Sequence, residues 1–70
     1  MKRRDLLAEI AEAAKVAGLR FDIDRQGARH EIWNCGGFRF PVPRHNEINE
    51  ITAGGIRKEL EVVLGPRWWQ

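Results

Sequence analysis

Between two short segments that read as strands, 29–34 and 38–42, the second with Phe38, Phe40 and Val42 on one face, stands the run Asn34, Cys35, Gly36, Gly37. Glycine accepts the positive φ angles of tight turns, so this run is a strong signal for an antiparallel β-hairpin. Pairing Asn34 with Phe38 sets His30 opposite Val42, and pairing Asn34 with Gly37 sets it opposite Pro41. The first register, which gathers Ile32, Phe38 and Phe40 on one face and leaves Trp33 facing the other way, is the preferred one. Either way, His30 lies at the end of the hairpin from which Pro43, Arg44 and His45 emerge. Pro41 and Pro43 have no N–H for a ladder, so their strand is expected to be short and to lie at a sheet edge.

Upstream, residues 20–25 alternate Phe21 and Ile23 with Arg20, Asp22 and Asp24, the pattern of a half-buried strand. Gln26, Gly27 and Ala28 make the turn into the next strand, 29–34. Residues 5–17 carry Leu6, Leu7, Ile10, Ala13, Ala14 and Ala17 at helical spacing, and Gly18 is placed to end that helix. Lys2, Arg3 and Arg4 stand where the helix dipole favours acids; they form a frayed start or serve a ligand. Near the end, Thr52 is the expected N-cap of a helix over 52–64 with Ala53, Ile56, Leu60, Val63 and Leu64 as its buried stripe, and Gly65 and Pro66 stop it. Gly54 and Gly55, in its first turn, either let a phosphate reach N–H groups or allow close packing on the sheet. The order is α-β-β-β-α in one domain, residues 1–70. The expected fold is α+β, a three-stranded antiparallel sheet with both helices on one face and the other face open.

A chain of 70 residues buries only about 60% of its unfolded surface, so its core is thin and a docking partner is plausible. Lys and Arg number 12 against 10 Asp and Glu, a net charge of +2 that is ordinary in size. Its distribution says more, because Arg25, Arg29, Arg39 and Arg44 fall in the middle third while the acids sit mostly on the helices. That leaves a basic centre suited to a polyanion, although charge alone more often marks a solvated surface. One cysteine, Cys35, forms no internal disulfide, and with two histidines it is too few for a four-ligand zinc site. No metal or cofactor is expected. The chain has no apolar leader and no apolar run near the roughly 20 residues a bilayer requires, so no membrane association and a cytoplasmic location are expected. Trp68 and Trp69 stack bases, fill a partner's groove or, most simply, cover the small core.

His30, two residues after the glycine turn of Gln26, Gly27 and Ala28 and at the mouth of a short strand, is the best clue to function. RNA cleaves itself when its 2′-hydroxyl loses a proton, the departing 5′-oxygen gains one, and the charge on phosphorus is held. An imidazole moves either proton near neutral pH, worth about 10²–10⁴-fold. His30 is then the acid/base, Arg29 and Arg44 hold phosphate, His45 is a second proton carrier or positions RNA, and Lys2 adds a further RNA contact. Set against this, a lone strand histidine is more often a hydrogen-bonding surface residue, and an arginine and histidine after proline are usually loop solvation.

Taken together, the opening MKRRDLL helix, the strand around HEIW, the PVPRHNEI segment and the ITAGGIRKEL helix resemble the HicA-type (YcfA-like) mRNA interferase toxins over residues 2–64. The resemblance implies a fold similar to a double-stranded-RNA-binding domain. It further implies a bacterial toxin that cleaves mRNA without the ribosome and is held inactive by a HicB-type antitoxin protein covering the catalytic face. The family's catalytic histidine follows a glycine turn at the start of the second strand, which is the position of His30. Arg29 stands where members commonly carry a small or amide residue; a guanidinium there binds phosphate or depresses the histidine pKa. Two rival readings are a non-catalytic RNA-binding module recognising RNA shape, and an interaction domain that pairs through its hairpin edge or the Trp68/Trp69 tail.

Overall fold

The periodic apolar positions of the first segment form α1 (Arg3–Ala17), which buries Leu6, Ile10 and Ala14. Gly18 ends it in the left-handed conformation at φ 72°, its N–H bonded to the Ala14 and Lys15 carbonyls; the expected glycine stop is therefore found. Then come β1 (Phe21–Gln26), β2 (His30–Cys35), β3 (Phe38–Pro43), α2 (Glu50–Glu59) and α3 (Glu61–Leu64). The computed structural model describes residues 1–27 and 29–70, so the part of the first turn expected at Ala28 lies outside the described residues. The strands lie in the order β1-β2-β3, antiparallel throughout. One cluster joins Leu6, Ile10 and Ala14 of α1, Cys35, Phe40 and Val42 of the sheet, and Ala53, Ile56 and Leu60 from the C-terminal helical segment. The architecture is thus the expected α+β one, with the helices on one sheet face. Among the described residues no helix is long and apolar enough to cross a membrane.

The hairpin register differs from both expected ones. Cys35 pairs with Phe38, Trp33 with Phe40, Glu31 with Val42 and His30 with Pro43. The reason is the turn itself: Gly36 and Gly37 alone form the loop, at φ 58° and 93°, the pair of positive angles of a type I′ turn. Asn34 Oδ1 accepts the Gly37 N–H at 2.8 Å and fixes it. A shift of one residue exchanges the two faces of a strand. Cys35, Trp33 and Glu31 therefore face the helices, while Ile32, with His30 and Asn34, lies on the open face. Phe21 stacks on Trp33 with centroids 4.9 Å apart, and Phe40 follows at 6.3 Å from Phe21, making the aromatic floor of the core.

Both ends of the helical segments also depart from expectation. Asn49, not Thr52, caps α2, its Oδ1 accepting the Thr52 N–H at 2.8 Å, so the helix starts two residues early, at Glu50. Thr52 serves as the donor that the cap satisfies. The single helix expected over 52–64 is divided at Leu60, where ψ of −8° ends α2. This turn lets Glu61 accept the Arg67 N–H at 2.9 Å and folds the tail back, so that Trp68 Nε1 reaches the Arg57 carbonyl at 2.8 Å. Trp68 packs on the core and Trp69 meets it edge-on at 5.7 Å, so the tail covers the core. Lys2 and Arg3 are not frayed: Lys2 bridges to Glu47, and the Arg3 N–H donates to Asn46 O at 2.8 Å.

Cys35 is fully buried, and burial pushes its thiol pKa up. A raised folded-state value favours the protonated fold, so this contribution to stability is intact below the unfolded thiol's pKa of about 8.5 and is lost as pH rises through the folded value. A disulfide reagent followed by absorbance is expected to label Cys35 in native buffer at least about 10³-fold more slowly than in urea, because labelling waits for unfolding. Labelling of the folded protein at the rate of a free thiol would contradict the burial.

Candidate functional site

Glycine at position 27 is what brings the histidine loop together. The last β1–β2 pair is Gln26 with Glu31, and the Gly27 N–H donates to the His30 carbonyl at 2.9 Å. A Cβ at position 27 would stand 2.8 Å from that same oxygen, so only glycine permits this closure. Just past the end of β3, Arg44 seals the loop twice. Its Nη1 donates to Gly27 O at 2.9 Å, and its backbone N–H to Arg29 O at 3.3 Å. A guanidinium carries five donors, so Arg44 keeps most of them for a ligand.

The result is a concavity of about 570 Å³ lined by Arg29, His30, Pro43, Arg44 and His45. His30 and His45 are both exposed, and neither ring belongs to the core. The Arg29 guanidinium enters no ion pair among the described residues. Four of the five residues singled out from the sequence thus share one surface. Lys2 does not line it; it lies with Arg3, Arg4 and Asn46 beside the chain that follows His45. The surface offers two imidazoles able to move protons and two guanidiniums able to hold an anion, with no acid among its lining residues.

Beneath His30, on the helix side of the sheet, lies a support that sequence reasoning missed. Arg3 pairs with the Glu31 carboxylate and donates through Nε to the Pro43 carbonyl at 3.0 Å. Trp33 Nε1 also donates to Glu31, at 3.1 Å. The side chains of Arg3 and Glu31 are only 22% and 12% exposed, so solvent screens this pair weakly. It fastens α1 to the strand ends that carry His30 and Arg44. The two-residue Gly36-Gly37 loop was the available signal, since it sets Glu31 and Trp33 on the inner face.

A second groove, of about 190 Å³, opens on the other side of His30, between β3 and α2. Its walls are His30, Pro41, Pro43, Thr52, Gly55, Ile56 and Glu59. Both expected explanations of the paired glycines fail. Because α2 begins at Glu50, Gly54 and Gly55 lie past the turn whose N–H groups are free. Close packing does not explain them either, because a Cβ added at either one meets nothing within 4 Å. Among the described residues no group of three or more His, Cys, Asp or Glu is placed to hold a metal ion. Comparison with protein-family models, with curated proteins and with solved structures finds no match for this chain.

Proposed function

We propose that this chain is a metal-independent endoribonuclease of the HicA type, the toxin half of a bacterial toxin–antitoxin pair acting on mRNA in the cytoplasm. The observation that carries this reading is the exposed His30 sharing one concavity with Arg29, Arg44 and His45. A phosphodiester laid there would have its charge met by the two guanidiniums. His30 would take the proton of the 2′-hydroxyl or give one to the departing 5′-oxygen, and His45 would serve the opposite transfer or position the strand. The 2′-oxygen attacks phosphorus as the bond to the 5′-oxygen breaks, leaving a 2′,3′-cyclic phosphate and a 5′-hydroxyl. A HicB-type antitoxin that covered this basic surface would block RNA by occupying it.

The test is cleavage of a defined mRNA by the purified protein, with and without EDTA, followed by analysis of the new ends. Cyclic-phosphate and 5′-hydroxyl ends at a rate indifferent to EDTA are expected. Ends bearing 5′-phosphate would mean a water nucleophile and would overturn the mechanism. RNA binding without any cleavage would leave a binding module of double-stranded-RNA-binding-domain type in place of an enzyme.

A further inference from the structure

We infer that the groove between β3 and α2 is a nucleobase subsite that reads guanine in single-stranded RNA through the Glu59 carboxylate, next to a phosphate held at Arg29 and Arg44. The inference rests on the RNA reading proposed above and concerns which residue of the RNA is selected. Its basis is the division of chemistry about His30, which lines both the basic concavity and the groove. The concavity has cations and suits phosphate. Apart from His30 at its edge, the groove is lined by two proline rings, Gly55, Ile56, a threonine hydroxyl and one carboxylate, with no arginine or lysine among them. A phosphate is repelled there, whereas a flat base is accepted between apolar ring faces and read at its edge.

Dimensions agree. Thr52 and Glu59 lie seven residues apart on α2, about 10 Å along the helix axis, which is a nucleoside's length and longer than a phosphate. The groove's 190 Å³ holds one base and no more. Gly55 is part of its α2 wall. Glycine inside a helix is unfavourable relative to alanine, and no neighbour among the described residues accounts for it, because an added Cβ would meet open space. A base lying across α2 at this point supplies the missing reason for close approach.

The choice among bases follows from Glu59, which is exposed and in no ion pair among the described residues. A carboxylate presents two acceptor oxygens side by side. Guanine alone has two adjacent N–H donors, N1–H and N2–H, on its Watson–Crick edge. Adenine and cytosine set a ring-nitrogen lone pair beside their one amine, and uracil sets two carbonyls about its one N–H. Each of these turns a lone pair toward the carboxylate, and charge-assisted pairing of two donors is lost.

The experiment uses 2′-O-methylated trinucleotides UpNpU, with N as G, A, C or U, which are inert to attack by the 2′-oxygen. Binding is read from the His30 ring and Gly55 amide resonances, so it does not depend on catalysis. The G trinucleotide is expected to bind at least tenfold more tightly than the other three, and Glu59→Gln to remove that advantage with the spectrum otherwise folded. Gly55→Leu, which adds a bulky side chain to the groove's lining, should weaken all four. Equal affinities, or a G preference unchanged by Glu59→Gln, would overturn the subsite. Free guanosine monophosphate binding as tightly as UpGpU would also overturn it, by making the occupant a nucleotide in place of RNA. Cleavage of natural RNA by the same preparation reports separately on the endoribonuclease reading, which survives a failed base preference and can fail while the preference holds.

Discussion

His30→Ala is expected to lower RNA cleavage by about 10²–10⁴-fold, the usual worth of a positioned proton carrier, while leaving RNA affinity within a few-fold. The separation is expected because the imidazole is exposed at the strand end and its removal leaves intact the Gly27–His30 backbone bond and the Arg44 contact to Gly27. Single-turnover cleavage of a labelled RNA and filter binding at the same salt concentration measure the two effects. Growth arrest on induction in a bacterial host should disappear with the cleavage; equal arrest by wild type and His30→Ala would remove His30 from the chemistry. Arg29→Ala is the informative companion. Its guanidinium is in no ion pair among the described residues, so its loss should weaken binding and reduce the salt dependence by about one phosphate contact. Arg44 is a poorer probe of phosphate, because its side chain also closes the histidine loop.

The parts of this molecule that could be read from the sequence are those set by local chemistry. Helical spacing through Leu6, Ile10 and Ala14, the glycine at position 18, and the Gly-Gly turn each act over a few residues, and all appear where expected. The proximity of His30 to Arg44 and His45 was also legible, because every hairpin register around Gly36 and Gly37 brings those strand ends together. What remained hidden depended on a single residue of register or on contacts far apart in sequence. The preferred pairing of Asn34 with Phe38 counts the loop one residue too long, and that put Ile32 inside and Trp33 outside. That concealed Glu31, whose partner Arg3 comes from the other end of the fold. The cap at Asn49 was missed for a similar reason: both Asn49 and Thr52 are good caps, and the choice depends on where the chain joins α2 after Ile48 enters the core. Sequence placed Glu59 on the second helix, but only tertiary structure puts it in a groove with His30.

Alanine substitutions along the hairpin should expose the register as a stability pattern. Phe40→Ala is expected to cost about 3–5 kcal/mol, because its ring is 1% exposed and stacks near Phe21 and Phe38, and such a deletion adds a cavity to the lost transfer energy. Total stability near 0.05–0.15 kcal/mol per residue gives a domain of this length only about 4–10 kcal/mol, so the variant is expected to be largely unfolded well below the wild-type melting temperature. Trp33, the Cα partner of Phe40, lies against Phe21 and donates to Glu31. Trp33→Ala should be comparably severe, since it removes the stacked ring and one of the donors to an inward carboxylate. Ile32→Ala provides the contrast: on the open face, across from Pro41, it should cost about 1 kcal/mol or less. Urea denaturation followed by circular dichroism decides the matter through the order of the midpoints. Had the strand paired Asn34 with Phe38, Ile32 would be the costly position and Trp33 the tolerant one, so an inverted order would return the sheet to that register and move His30 onto the helix-covered face.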